Sequence, residues 1–408
     1  MNQINKFKQI SIYVAFVLII FSAFIQKLIF KNQLNIVNEI GLFIIIFYSL
    51  NSLFFRKSIH KKYLTLVAFY FYLVLISIGS KHSNGIIIVL QSFIHIEFFI
   101  LFIALKVINQ TYSWKPERIL RVLALITMLG AILSLVFPNL FLVEGEAFDT
   151  NSRVQGFQLN SNALGIFLAY YVFYLGNTQL YKTHRFEFLL SLLIVMITGS
   201  RSAVLILLIA FFFSNQSIFK KGVVITFSVA IIMIFASNAR IIEKSLNNVN
   251  QMNEISESSF IRGIMLLNAY DLAVVNFPVG TGAGSFASAL SRNSDLYSDL
   301  GLLKYQSIRE GRALNDSNAA AIVGEFGFLT FILYYILAIF FLKDATSRLK
   351  NKDRFSLMKL FIFIALFSPF LRGFFSSTYY SLAFCLTFYS LTNYYYEKNS
   401  PNSPLIMK

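Results

Sequence analysis

The chain has 408 residues, 57% hydrophobic, 17% aromatic and only 13% charged, with a mean hydropathy of +0.66. These values exclude an ordinary soluble globular protein. The formal net charge of +16 would point to nucleic acid in a soluble chain; here the excess falls in short loops between apolar runs, where it reports orientation in a membrane, so no nucleic-acid partner is expected.

Apolar runs of about 18 or more residues recur along the chain, each long enough to cross ~30 Å of hydrocarbon as a helix. In chain order the expected spans are 9–30, 38–55, 63–80, 86–108, 119–143, 161–178, 187–199, 201–215, 222–238, 317–342, 356–373 and 377–396. Lys6 and Lys8 before the first run resemble a signal peptide, but no small-residue cleavage site follows, so that run is expected to stay as a span. The fold class is therefore all-α: a polytopic membrane protein with about twelve transmembrane helices.

Loop charge sets the orientation. Loops 56–62, 110–118, 179–185, 215–221 and 343–354 are basic, whereas 144–152 carries Glu144, Glu146 and Asp149 and no Lys or Arg. Basic loops stay in the cytoplasm, which puts both termini inside. The domains expected are 1–238 as helices with short loops, 239–316 as one long extracytoplasmic loop, 317–396 as the last helices, and 397–408 as a cytoplasmic tail.

Two stretches interrupt the pattern. The run 187–215 is broken by Thr198-Gly199-Ser200-Arg201-Ser202. As one helix it would be ~43 Å long, too long for an untilted span, so two short spans or a re-entrant hairpin with Arg201 at the outer turn are expected. The long loop holds an apolar stretch from Ile261 to Val279 that ends in Pro278-Val279-Gly280-Thr281-Gly282-Ala283-Gly284. This reads as an amphipathic helix on the outer membrane surface followed by a Gly-rich turn.

In this topology Arg153, Arg201, Arg262, Arg292, Arg309, Arg312 and Arg372 all lie away from the cytoplasm. That is against the usual bias of positive charge and asks for an anionic ligand. Four motifs carry the group. Arg153 to Gly165 runs from an outer loop to the head of a span, where free N–H groups and an arginine fork suit phosphate oxygens; Asn160 and Asn162 fall in it, and the alternative is that Asn160 or Ser161 caps the helix. In the Thr198 to Ser202 turn, Arg201 with Ser200 either holds a second phosphate or snorkels to headgroups. Arg262 is followed by the glycine string, which has no preceding strand and no following Lys and so is no nucleotide loop. Arg309-Glu310-Gly311-Arg312 leads to Asp316, which is either a general base or an N-cap carboxylate, and on to Glu325 and Gly327. Gln91, His95 and Glu97 fall inside a span and read equally as functional groups or as interhelical hydrogen bonds. The lone cysteine, Cys385, allows no internal disulfide, and no Cys or His cluster has metal-ligand spacing, so neither a metal nor a cofactor is expected.

These motifs, in this order, resemble the O-antigen ligase and polymerase superfamily of bacterial membrane glycosyltransferases. The resemblance rests on Arg-x-x-Gly-x-x-x-Asn-x-Asn-x-x-Gly from Arg153 to Gly165, on Ser200-Arg201-Ser202, on Arg262 with Pro-x-Gly-x-Gly-x-Gly-Ser-Phe from Pro278 to Phe286, and on the stretch from Asp316 to the Glu-x-Gly of Glu325 to Gly327. Ligases of this group carry His-Asn-Ser where this chain has Asp316-Ser317-Asn318, which favours a polymerase.

The resemblance implies joining of undecaprenyl-diphosphate-linked oligosaccharide repeat units at the outer face of the bacterial cytoplasmic membrane, without a metal. The alternatives are a ligase that moves the glycan to a lipid A core or a protein, and a lipid-linked oligosaccharide flippase. It further implies Asp316, Arg201 and Arg262 as catalytic residues, and Arg153, Asn160, Asn162, Ser200, Arg312 and Arg372 as substrate-binding residues. The partners expected are the lipid-linked donor and acceptor, membrane lipid and a chain-length regulator.

Overall fold

A computed structural model describes residues 3–30, 36–56, 61–112, 114–141, 154–178, 180–213, 261–311, 313–314, 316–371 and 373–399. Among these the secondary structure is helical throughout, with no strand. The main helices are α1 (Gln3–Ile20), α2 (Ser22–Phe30), α3 (Val37–Arg56), α4 (Lys61–Ser77), α5 (Gly85–Thr111), α6 (Pro116–Val136), α7 (Ser161–Thr178), α8 (Arg185–Ile197), α9 (Arg201–Phe213), α10 (Ile261–Val275), α11 (Asn318–Ala345), α12 (Asn351–Leu371) and α13 (Thr378–Lys398).

Local sequence explains the ends. Asn84 caps α5 by accepting the Ile87 amide at 2.9 Å, Pro116 occupies the first turn of α6, where its missing N–H costs nothing, and Ser317 caps α11. Among the described residues α5, α6 and α11 are long and apolar enough to cross a membrane, and the bent pair α1–α2 makes a fourth candidate. Their outward faces carry Leu125, Leu129, Ile132, Ile332, Ile336 and Ile339, all exposed. An apolar exterior of this extent is consistent with a helical membrane protein.

The helix α7 is buried almost all round, from Ala163 to Gly176, as expected of a helix that is apolar on every face. It packs on α6, α8, α9 and α13, while α13 also packs on α5. The largest apolar cluster runs through these elements and α1, α3 and α12.

Two expectations change and one holds. The run 9–30 is not one helix, because the chain bends by 83° between α1 and α2. No Pro or Gly causes the bend; rings do. Phe21 and Phe24 contact Phe157, Phe24 also stacks on Phe141, and Lys27 donates to the Leu140 carbonyl at 3.1 Å, so α2 is turned toward the 138–158 region. The run 187–215 does break at the Thr198–Ser200 turn, and α8 has 13 residues, about 20 Å, short of a full crossing. The helix α10 is not amphipathic: one face is buried on α11, and Leu267, Tyr270, Val274 and Val275 are exposed on the other. The expected span 222–238 lies outside the described residues.

Candidate functional site

The segment from Ile261 to Asp316 is folded rather than an open loop. Its own apolar cluster joins Ile264, Met265 and Leu272 of α10 to Phe286, Tyr297, Leu302 and Ile308, and then to Ala320 and Ala321 of α11. Burial pushes the Tyr297 phenol up, so it keeps its proton; its oxygen accepts the Ala287 amide at 2.8 Å and lies 2.7 Å from Ser291 Oγ.

A break in α11 receives this unit. Gly327 sits at φ 76°, ψ 175° inside the helix, and a left-handed φ of that kind strains any residue with a Cβ. The break frees carbonyls that the glycine string then uses: Thr281 and Gly282 donate their amides to Gly324 and Glu325 carbonyls at 3.0 and 2.7 Å. A Cβ on Gly327 would lie 2.6 Å from the Pro278 carbonyl oxygen, and one on Gly280 2.6 Å from the Glu325 carbonyl carbon. The two glycines are what let the strands of backbone touch.

Side chains from α4, α5 and α11 complete the seam. Glu325, fully buried, accepts the Phe286 amide on Oε1 at 3.1 Å and lies 2.9 Å from His95 Nε2 through Oε2. One turn earlier on α5, Gln91 Oε1 accepts the Leu290 amide at 3.0 Å, and Ser77 Oγ accepts that of Ala283 at 2.9 Å. Glu97, on another side of α5, accepts from Thr378 Oγ1 at 2.9 Å. The polar residues of this span are therefore interhelical and loop-holding groups. The spacing of Gln91 and His95, four apart, puts both on one face of α5, and that was the readable signal of a partner segment.

The anchored unit presents Arg262. Its Nε and Nη2 donate to Asp316 Oδ2 and Oδ1 at 2.6 and 2.9 Å, and both side chains are about a quarter exposed, at 27% and 26%. Asp316 is thus not the helix cap; Ser317 takes that role, accepting from the Ala320 amide at 3.3 Å. Nor is Asp316 a lone carboxylate, since both oxygens engage the guanidinium. This two-point pairing holds the Arg262 plane in one orientation and leaves its Nη1 for another acceptor.

The other motifs are placed differently. Asn160 Oδ1 accepts the amides of Asn162 and Ala163 at 2.9 and 3.2 Å, so Asn160 is a cap of α7 and Asn162 contributes a main-chain N–H to it. Ser200 is fully buried and its Oγ accepts the Ala203 amide at 3.3 Å. It caps α9 and is not exposed to a ligand, which corrects its expected binding role. Thr198, Ser200 and Ala203 press on Gly165 of α7, where a Cβ would lie 2.6 Å from Thr198 Oγ1. Arg201 opens α9 and is exposed. Arg153, Arg312 and Arg372 lie outside the described residues.

The connection between α12 and α13 ties the motifs into one end of the bundle. Asn318 Oδ1 accepts the Phe375 amide at 2.6 Å, Asn318 Nδ2 donates to Ser376 Oγ at 2.7 Å, and Tyr379 donates to the Ala163 carbonyl at 2.9 Å. Behind Ser202, between Tyr170 and Tyr380, a cavity of about 20 Å3 remains, room for one water rather than a sugar. Arg292, which belongs to the arginine group but to none of the four motifs, is exposed and crosses the backbone at Gly311, with Cδ 3.3 Å from where a Cβ would stand there. Among the described residues no group of three or more His, Cys, Asp or Glu could hold a metal ion. The chain matches no protein-family model and no curated protein.

Proposed function

We propose that this protein is a glycosyltransferase of the bacterial cytoplasmic membrane, spanning it about twelve times with both termini inside, and that it polymerises undecaprenyl-diphosphate-linked oligosaccharide repeat units at the outer face. The observation that carries the proposal is the meeting of the motif stretches at one end of the bundle, with Arg262 fixed by Asp316 at the head of α11 and the head of α7 joined to it through Asn318, Ser376 and Tyr379.

In this scheme a hydroxyl of the acceptor's terminal sugar attacks the anomeric carbon of the lipid-linked donor. The new bond is glycosidic, the broken bond is that to the diphosphate oxygen, and undecaprenyl diphosphate departs. A single displacement inverts the anomeric centre. The leaving group already carries negative charge, so stabilising its oxygens matters more than protonating them. A guanidinium already oriented by a carboxylate does this without reorganising at the moment of reaction. Arg262 is the ligand that the geometry favours, Arg201 the second, and Arg153, Arg312 and Arg372 complete the anion site by motif. Asp316 orients Arg262; whether it also accepts the proton of the attacking hydroxyl is decided by comparing Asp316→Asn, which keeps one acceptor oxygen for the guanidinium, with Asp316→Ala.

The test is purified protein supplied with a lipid-linked repeat unit, with products sized by mass spectrometry. Long polymer still carried on one lipid diphosphate is expected, with one undecaprenyl diphosphate freed for each bond formed. Transfer of a preformed chain to lipid A core or protein instead would establish a ligase, and movement of the substrate between leaflets with no new glycosidic bond would establish a flippase.

A further inference from the structure

At the end of the bundle away from the 261–316 unit, the C-terminal parts of α5, α11 and α13 surround a cavity of about 370 Å3, within the ~300–1,000 Å3 typical of small-molecule pockets. It does not belong to the site above: α5 has 27 residues, and Gln91 and Lys106 lie toward its opposite ends. Its walls mix polar and apolar groups. Asn109 and Asn393 exchange amide hydrogen bonds at 3.0 and 3.2 Å, and Lys106 is paired with Asp344.

Three lining groups have no such partner. Trp114 is 4% exposed, its ring is stacked on Phe16, and its indole N–H has no acceptor among the described residues. A buried donor left without an acceptor is uncommon and points to a ligand or solvent group. Arg348 and Glu397, both exposed, line the same cavity, and neither makes an ion pair there with the other or with any described residue. The cavity therefore presents an arginine and an indole N–H as donors and one carboxylate, with the exposed ring of Tyr396 in the same lining. A simple anion would leave Glu397 opposed, and a simple cation would leave Arg348 opposed.

We propose that this cavity binds a zwitterion in which a phosphate ester is linked to a primary amine, with the phosphate on Arg348 and the Trp114 side and the amine on Glu397. An arginine fork suits phosphate oxygens, and an ammonium gains from both the carboxylate and the tyrosine ring. The chemistry is that of an ethanolamine phospholipid headgroup or of free phosphoethanolamine.

Trp114 is the only tryptophan in the chain, so its emission reports on the cavity directly. The full-length protein in detergent is titrated with short-chain phosphatidylethanolamine, short-chain phosphatidylglycerol and phosphoethanolamine. The ethanolamine lipid is expected to give a saturable change, with the glycerol lipid weaker by about tenfold or more, and Arg348→Ala and Glu397→Gln each weakening the ethanolamine lipid by about tenfold. Lys304→Ala, in the outer unit, leaves binding unchanged and serves as control. Phosphoethanolamine binding as well as the lipid assigns a soluble ligand; binding of the lipid alone assigns the membrane. The proposal is overturned if the emission does not respond, if both lipids bind alike, or if folded Arg348 and Glu397 variants bind as the parent does.

Discussion

The unit that presents Arg262 and the turn that presents Arg201 solve the same problem in opposite ways. Arg262 is held by a partner: two bonds to Asp316, on a segment fastened to α5 and α11 by main-chain amides. Around Arg201 the neighbours are consumed by local structure, with Ser200 capping α9 and Thr198 Oγ1 bonded to the Val195 carbonyl at 2.7 Å. The difference separates orientation from placement. An arginine paired with a carboxylate through two bonds has its plane defined before a ligand arrives, and the α9 start places the Arg201 Cα beside a buried cap.

The largest effect that would break this contrast comes from Glu325→Ala. It leaves His95 and the Phe286 amide without their buried acceptor, and should cost about 3–5 kcal/mol, read as a lower melting temperature in detergent together with earlier proteolysis within 261–316. Unchanged melting would show that the seam does not hold the outer unit. Next is Arg262→Lys, which keeps the charge and loses the fork. Polymer yield should fall on the order of 10²-fold while melting changes little, since a pair this exposed contributes about 1 kcal/mol or less. The matching Arg201→Lys should be milder, because it leaves the Arg262–Asp316 pair intact; equal losses in both would erase the distinction. The smallest effect belongs to Ser200→Ala, which removes a buried cap and should cost about 1 kcal/mol without changing polymer length. A changed length distribution in folded Ser200→Ala protein would return Ser200 to the binding site.

The helical architecture was legible because apolar runs of spanning length leave little choice, and the Thr198–Ser202 interruption was legible because its polar residues sit in an otherwise unbroken run. The α1–α2 bend was not, since its cause is the packing of Phe21 and Phe24 on Phe157, more than a hundred positions along the chain. The motifs announced Arg262 and Asp316 as separate candidates. Their pairing depends on α10 lying along α11, which no local pattern encodes. Asn160 and Ser200 illustrate a different limit: capping and anion binding call for the same residue types at helix starts, and only the observed acceptor geometry separates them. Glu325 and Gln91 were visible as polar residues in apolar surroundings, but their common partner, the 281–290 backbone, has no sequence signature.

The seam between the outer unit and the helices has a consequence for how such a protein can diversify. Thr281, Gly282, Ala283, Phe286 and Leu290 anchor the unit with their amides, and the matching acceptors, carbonyls for the first two and side chains for the rest, come from the scaffold. Beyond the glycines, the Thr281 hydroxyl on the Gly324 carbonyl and the apolar side chains packed on α11, the fastening is made by backbone amides. The outer unit's surface is free to drift toward new partners while the fastening stays intact, much as a standard fitting accepts interchangeable tools.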